Sequence, residues 1–130
     1  MIVGLGNDIV EVARIENMLS RHSQRFLDRV FTPLEQNYCL TKKEPSIHLA
    51  ARFAAKEASA KALGLGLGRT LSWKDLEICN HPSGSPFVVL SPGATHTLAQ
   101  RWTGLHIHLS LSDQPCYVQA FAVATCQQSP

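Results

Sequence analysis

Two acidic residues, Asp8 and Glu57, occupy positions where a protein core would hold apolar side chains. Asp8 shares one face of a predicted strand with Gly4, Gly6 and Val10, and Glu57 lies in an alanine-rich helical segment. Carboxylates in such places could bind a hard divalent cation, because Mg²⁺ takes one or two carboxylates together with phosphate oxygens and water. The pattern alone leaves two alternatives, a metal site or a solvated strand face.

Four long charged side chains interrupt the alanines of "RFAAKEASAKALGLGLG", residues 52–68. Glu57 and Lys61 stand four apart with the acid first, the favourable order for a surface ion pair worth about 0.3–0.5 kcal/mol. Arg52 and Lys56 are also four apart, but they carry like charges and repel each other. An anion between them would relieve this repulsion, so the pattern favours charges that bind a ligand.

A glycine-rich segment, "GLGLGR", follows the predicted helix. Gly64 could end the helix in a left-handed conformation, and Gly66 and Gly68 would then leave backbone N–H groups open to a phosphate. The segment is not a Walker A loop, because no Lys-Ser/Thr follows, and it is not a dinucleotide fingerprint, because the helix precedes the glycines. An ordinary loop is the alternative.

Two histidines, His106 and His108, share one face of a predicted strand. Such a pair could bind zinc, but the sequence shows no third ligand. A half-exposed strand face is the alternative.

A basic stripe is predicted near the N-terminus. Arg14, Met18, Arg21 and Arg25 recur at intervals of three and four residues. On one continuous helix they would form a single stripe with a methionine among arginines. This stripe could be a solvated face or a docking surface for an acidic helix.

The predicted elements form an α+β fold in which a mainly antiparallel sheet packs against a long helix. The long helix runs from Pro45 to Leu63, and a closing hairpin turns across residues 113–115. Thr32 is the expected N-cap of an earlier helix that begins at Pro33. In chain order, we expect a strand at 1–10, helices at 11–22, 24–31, 32–40 and 45–63, strands at 73–80 and 86–91, a helix between 92 and 104, and strands at 105–113 and 116–125.

Composition indicates one globular domain spanning residues 1–130, with 45% hydrophobic residues, 17% charged residues and a net charge of +2. Residues 1–69 hold ten Lys/Arg against seven Asp/Glu, which suggests an acidic partner or anionic ligand rather than bulk nucleic acid. The four cysteines show no CxxC spacing, which excludes metal-finger and redox motifs. The sequence has no apolar run long enough to span a membrane. The N-terminal residues do not have the pattern of a secretory signal. We therefore expect a cytoplasmic protein with reduced thiols.

The segments "GLGNDIVEVARIE" and "RFAAKEASAKALGLGLG" resemble the bacterial holo-[acyl-carrier-protein] synthase family of 4′-phosphopantetheinyl transferases. The resemblance runs nearly end to end, through "NHPSGSPFVVL", "HLSLSD" and "CYVQAFAVAT". It implies an enzyme that moves the phosphopantetheine arm of CoA onto a serine of apo acyl carrier protein, releases adenosine 3′,5′-bisphosphate and supports fatty acid biosynthesis. It also implies a homotrimer with active sites shared between neighbouring subunits.

The resemblance assigns roles to individual residues. Asp8 and Glu57 would hold Mg²⁺ beside the CoA pyrophosphate, and Lys61 would contact the phosphates and assist the leaving group. Further CoA-binding positions are Arg52, Gly64, Gly66, Pro86 and His108, and the basic stripe that receives the carrier protein is Arg14, Met18, Arg21 and Arg25. Two alternatives stay open from the residues alone: a Mg²⁺-dependent phosphodiesterase, and a non-enzymatic basic module that binds an acidic protein.

Overall fold

The structure, a computed structural model, describes residues 1–127. Its order of strands and helices agrees with the prediction, and the α+β class is confirmed. The strands are β1 (Ile2–Glu11), β2 (Leu76–Asn80), β3 (Pro86–Leu90), β4 (His106–Asp113) and β5 (Tyr117–Thr125). The α-helices are α1 (Val12–His22), α2 (Gln24–Val30), α3 (Pro33–Leu40), α4 (Pro45–Leu63) and α5 (Pro92–Ala99).

The strands form two antiparallel sheets rather than one. The larger sheet has the order β1-β5-β4, so that the chain's first described strand pairs along its length with the last, from Ile2 opposite Thr125 to Glu11 opposite Tyr117. The smaller sheet is the β2–β3 hairpin, and β3 packs beside β4. The central strand β5 is therefore covered by a neighbour on both edges.

Two predicted boundaries are wrong by more than one residue. The strand expected at 73–80 begins with a 3₁₀ turn, Trp73–Asp75, because the N–H of Ser72 donates to the Asp75 carboxylate at 2.9 Å and the N–H of Asp75 donates to the backbone oxygen of Ser72 at 3.0 Å. The helix expected between Pro92 and Gly104 ends at Ala99. The alternation predicted for the closing hairpin is confirmed, since Ile107 is buried while His106 and His108 are exposed.

The long helix α4 is the centre of the fold, and it packs across β1 and β5. Its predicted bounds are confirmed, with Pro45 in the first turn and Gly64 in the left-handed conformation at φ 70°. Twelve of its nineteen residues are buried, and six of those are alanines. Because so many of the buried side chains are small, the helix backbone can come very close to the sheet.

Two glycines of β1 make the closest approach to α4. A Cβ atom on Gly6 would overlap the carbonyl oxygen of Ala58, and one on Gly4 would overlap that of Ala62. Glycine is required at both positions because the strand backbone lies directly against the helix backbone. Asp8, two residues beyond Gly6, is thereby held against the part of α4 that carries Glu57 and Lys61.

We expect Gly6→Ala to be strongly destabilising, by about 3 kcal/mol, because the new methyl group meets backbone rather than a side chain that could move. Gly93→Ala is the matched control. Gly93 lies in α5 with open space around its Cα, so an alanine there should be neutral or stabilising by up to about 1 kcal/mol. Urea unfolding of the three proteins measures both effects, and equal stability of Gly6→Ala and wild type would contradict the close approach.

Candidate active site

Lys61 joins α4 to β1. Its Nζ atom donates hydrogen bonds to the backbone oxygen of Asn7 at 3.0 Å and to Oδ1 of Asp8 at 3.2 Å. The expected ion pair between Glu57 and Lys61 is therefore wrong, since the partner of Lys61 is Asp8. The Lys61 side chain is 52% exposed, so this ion pair contributes little stability. An ammonium group has three N–H donors, and only two find acceptors among residues 1–127.

Glu57 completes the cluster beside Asp8 and Lys61. Burial raises the pKa of the Glu57 carboxyl, and the negative charge of Asp8 raises it further. The positive charges of Lys61 and Arg14 oppose this rise in the pKa. Two carboxylates thus repel each other at a half-buried position, flanked by two cationic side chains.

This donor set fits a magnesium ion better than a zinc ion. Within residues 1–127, no group of three or more His, Cys, Asp or Glu side chains could hold a metal. Asp8 and Glu57 would thus leave the remaining positions to phosphate oxygens and water, which is how Mg²⁺ is usually held. His106 and His108 contact each other with ring centroids 4.2 Å apart, and the described part of the chain offers them no third zinc ligand.

Arg52 lies in a cleft of about 190 Å³ between α3, α4 and β2. The residue is only 4% exposed, and its guanidinium donates to Oδ1 of Asn80 at 2.7 Å and stacks on the ring of Tyr38 at 4.1 Å. The buried Nε atom has no hydrogen-bond partner, and no carboxylate within residues 1–127 pairs with the guanidinium. A buried cation without a counter-charge is costly, so this cleft is well suited to an anion.

Lys56 does not share an anion with Arg52, and that prediction is wrong. Lys56 is fully buried and forms an ion pair with Glu35 at 2.7 Å, whereas the guanidinium of Arg52 donates to Asn80. The sequence analysis missed Glu35. The one available signal was the Thr32-x-x-Glu35 spacing, which forms a capping box at the start of α3.

Of the two glycine amides predicted to be open, at Gly66 and Gly68, one is open. The N–H of Gly68 donates to the carbonyl oxygen of Leu71 at 2.7 Å, so the prediction that Gly68 is free to bind phosphate is wrong. Gly64 ends α4, and its N–H donates to the backbone of the last turn. Gly66 has open space around its Cα, and its N–H has no acceptor among residues 1–127. Gly66 is therefore the position at which a phosphate could approach the backbone.

Pro86 and His108 lie in different places. Pro86 stands opposite Asn80 in the β2–β3 hairpin, beside the partner of Arg52. His108 lies on the exposed face of β4, where its Nε2 is 3.0 Å from the hydroxyl of Thr125. Because α4 covers the other face of this sheet, His108 does not face Asp8 or Arg52 within one chain.

The predicted basic stripe is not on one helix. α1 ends at His22, and Ser23 adopts a φ of 46° before α2 begins, so Arg25 belongs to a different helix from Arg14 and Arg21. A cleft of about 160 Å³ lies at this junction instead. Its lining combines apolar and cationic side chains: Met18, His22, Arg25, Phe26 and Arg29.

The carboxylate pair, the lysine that bridges α4 to β1 and the unpaired buried arginine are the arrangement expected for a phosphoryl transferase of the predicted family. The family model for the 4′-phosphopantetheinyl transferase superfamily matches residues 4–126. The chain belongs to this superfamily. The resemblance of its sequence motifs to the holo-[acyl-carrier-protein] synthase family is thereby confirmed.

Relatives within the superfamily match over nearly the whole chain. A holo-[acyl-carrier-protein] synthase of Protochlamydia amoebophila is 48% identical over 123 residues, which cover 95% of this chain and 98% of the relative. The crystal structure of the Neisseria meningitidis synthase matches with a TM-score of 0.87 at 35% identity, over 96% of this chain and 99% of that one. The Helicobacter pylori synthase, solved in complex with coenzyme A, matches with a TM-score of 0.81 at 33% identity, over 93% of this chain and 99% of that one.

Proposed function

We propose that this protein is one transferase domain, residues 1–130, which transfers the 4′-phosphopantetheine group of CoA to a serine of an apo acyl carrier protein. Adenosine 3′,5′-bisphosphate is the other product, and the modified carrier serves fatty acid biosynthesis. The observation that carries the proposal is the cluster of Asp8, Glu57 and Lys61 at the contact of β1 with α4. A relative of the same fold binds coenzyme A, which supports CoA as the donor.

The chemistry follows from the charges in the cluster. Asp8 and Glu57 would hold Mg²⁺, which neutralises phosphate charge when it is bound. The serine oxygen of the carrier forms a bond to the phosphorus that bears pantetheine and loses its proton to water. The bond from that phosphorus to the bridging pyrophosphate oxygen breaks, and adenosine 3′,5′-bisphosphate leaves with the electron pair. The unused N–H of Lys61 can donate to a leaving-phosphate oxygen as its charge develops.

Arg52 and Gly66 would bind phosphate groups of CoA away from the reacting phosphorus. The guanidinium of Arg52 is already oriented by Asn80 and by the Tyr38 ring, so little rotational freedom is lost on binding. Gly66 contributes a backbone N–H without steric hindrance. These contacts position the donor, which is the main task of a phosphoryl transferase.

Mass spectrometry of the carrier tests the function directly. The protein is mixed with CoA, Mg²⁺ and an apo acyl carrier protein, and the carrier is weighed before and after. Gain of one phosphopantetheine group supports the transferase. Loss of CoA without carrier modification would instead identify the phosphodiesterase alternative, and binding without either change would identify a basic binding module.

The carrier docks, we propose, at the cleft between α1 and α2. Carrier proteins of this kind must present an acidic surface to match the arginines, and Met18 and Phe26 provide an apolar floor for one inserted side chain. Arg14 extends this surface towards the active site, because its guanidinium stacks on Phe53 at 5.2 Å and its charge acts on Glu57. The docking surface therefore spans two helices, with Arg14, Met18 and Arg21 on α1 and Arg25 on α2.

We expect Arg25→Glu to raise the KM for the carrier by about tenfold or more, since surface charge steers association, while the KM for CoA changes little. Added salt should have the same effect on the wild type, because exposed charges are screened within about 10 Å at 0.1 M. Arg101→Glu is the matched control, as Arg101 is an exposed arginine that stacks on Trp102, far along the chain from α1 and α2. A carrier KM that responds to neither charge reversal nor salt would place the docking surface elsewhere.

The exposed face of the larger sheet supports the proposed homotrimer. Leu5, Ile9, Tyr117 and Phe121 form this face and are 44–60% exposed. Asn7 and Gln119 lie on the same face and hydrogen-bond to each other, so the face is apolar with one polar pair, a composition typical of an interface. We propose that further copies of the chain cover it, and that His108, on the same face, reaches the CoA site of a neighbouring copy.

We expect Phe121→Glu to convert the trimer to a monomer, because a charge buried between copies has no partner. Sedimentation equilibrium measures the change from three times the 14.3 kDa chain mass to that of one chain. Val89→Glu is the control, since Val89 is 42% exposed but lies on β3, outside this face. A wild-type protein that sediments as a single chain would contradict the trimer.

No helix within residues 1–127 is long and apolar enough to cross a membrane. All four cysteines, Cys39, Cys79, Cys116 and Cys126, are free thiols. We propose that the protein works in the cytoplasm, where thiols stay reduced.

A further inference from the structure

A fully buried ion pair lies behind the active site, between Lys56 and Glu35. The Nζ atom of Lys56 donates to Oε1 of Glu35 at 2.7 Å, to the backbone oxygen of Val30 at 2.7 Å and to that of Trp73 at 3.0 Å. All three N–H bonds of the ammonium therefore have acceptors inside the protein. Lys56 has no donor left for a phosphate, and neither side chain is reached by solvent.

Both carboxylate oxygens of Glu35 also have hydrogen-bond partners inside the protein. Its Oε1 atom also accepts from the N–H of Thr32 at 2.9 Å, and its Oε2 atom accepts from the N–H of Ile78 at 2.8 Å. The two side chains together bind the end of α2, the start of α3, the middle of α4, the 3₁₀ turn at Trp73 and strand β2. Five separate segments thus meet at one pair of charges.

Stability alone does not account for such a pair. The desolvation of two buried charges is costly, and apolar residues of similar size are often as stable or more so. Burial accordingly lowers the pKa of Lys56, although the carboxylate of Glu35 opposes this shift in the pKa. An apolar pair cannot form the hydrogen bonds that orient backbone groups of several segments.

The segments fixed in this way border the active site. Lys56 directly precedes Glu57, and its bond to Trp73 holds the far end of the loop that begins with Gly64 and Gly66. The ring of Trp73 packs on Phe53 at 4.7 Å between centroids, and Phe53 lies under the guanidinium of Arg14. A continuous set of contacts therefore runs from Lys56 through Trp73 and Phe53 to Arg14.

We propose that Lys56 and Glu35 are positioning residues for the transfer reaction, which fix the loop at residues 64–72 and the Arg14 side chain relative to Asp8 and Glu57. This inference rests on the proposed function. It assigns to Lys56 a role different from that of Lys61, although both are lysines of α4. Lys61 faces the reacting phosphates, whereas Lys56 acts only through the backbone that it holds.

The test is the double variant Lys56→Met with Glu35→Gln, which removes both charges and so leaves no unpaired carboxylate. It is made in a Trp102→Phe background, so that Trp73 is the one tryptophan left. Lys74→Met in the same background is the control, because it makes the same change at an exposed lysine next to Trp73. Acrylamide quenching of Trp73 fluorescence is measured without substrates. Calorimetry measures the affinity for CoA, and turnover is measured at saturating CoA and carrier.

We expect acrylamide to quench Trp73 more strongly in the double variant. The turnover number per folded molecule should fall about 100-fold, because misplacement of active-site groups by about 1 Å can lower the rate by that factor. The control should match its parent in both. Unchanged Trp73 quenching together with lost CoA affinity would overturn the proposal in favour of a phosphate ligand. Unchanged quenching with normal turnover would overturn it in favour of packing alone.

If the double variant does not fold, Glu35→Gln alone is measured in the same way. It keeps the size of the side chain and the Lys56 ammonium, and it should shift quenching and turnover in the same directions. Normal values for both would overturn the proposal. A wild-type protein that fails to modify the carrier would instead overturn the proposed function, which the quenching measurement does not depend on.

Discussion

Asp8→Asn and Glu57→Gln are each expected to lower the transfer rate at millimolar Mg²⁺ by about 10³-fold or more, since each removes one of two carboxylates that would hold the cation. The fold should be unaffected. Asp8→Asn removes the ion pair with the half-exposed Lys61, and such a pair contributes about 0–1 kcal/mol to stability. The same substitution relieves the repulsion between Asp8 and Glu57.

Glu44→Gln is the matched control for this pair. Glu44 is the N-cap residue of the same helix, its side chain makes no capping hydrogen bond, and it is exposed. Turnover, thermal melting and calorimetric Mg²⁺ binding in the presence of CoA are compared across the four proteins. Near-normal turnover or undiminished Mg²⁺ binding in either active-site variant would rule out the metal assignment.

Lys61→Ala is expected to lower the turnover number by about 10²–10³-fold while the affinity for CoA falls only modestly. The physical reason is that charge on the leaving phosphate is greater in the transition state than in bound CoA. Lys61→Arg should recover part of the activity, because the positive charge survives but a planar fork replaces a compact ammonium. Stability should change by less than about 1 kcal/mol in both variants, as Lys61 is half exposed.

The competing interpretation is that Lys61 only ties α4 to Asn7 and Asp8 of β1. It predicts a small loss of stability and a normal turnover number at saturating CoA. Lys74→Ala serves as the control for removal of an exposed lysine elsewhere. If Lys61→Ala keeps most of its turnover, the leaving-group role belongs to the metal ion or to Arg52.

Local sequence patterns predicted the helices and strands, but they did not predict the side-chain contacts between them. The bounds of α4 followed from Pro45 and Gly64, and the faces of β4 followed from strict alternation. The partner of Lys61 did not follow, because the i,i+4 rule considers one helix alone, and the actual acceptors come from a strand more than fifty residues away.

The same limit explains the error about Lys56. The like charges of Arg52 and Lys56 suggested a bound anion, whereas the anion beside Lys56 is Glu35, which the folding of α3 against α4 brings to it. Pairing over such a separation has no periodic signal. The basic stripe assumed one continuous helix, although separate helices were predicted at 11–22 and 24–31. The break lies at Ser23, whose φ of 46° is uncommon outside glycine. The residues of the active site were therefore identifiable by type, whereas their partners required the tertiary structure.

The pairing of β1 with β5 determines when the active site can form during synthesis of the chain. Asp8 leaves the ribosome early, but the strand that carries it has its hydrogen-bond partners at Tyr117–Thr125, and Ile2 must wait for Thr125. Contacts between such distant parts of a sequence are slow to form. The α4 segment, which carries Glu57 and Lys61, can be synthesised and can become helical before β5 emerges, but it then has no strand to pack on. A nascent chain is therefore expected to lack the proposed Mg²⁺ site until β5 has emerged.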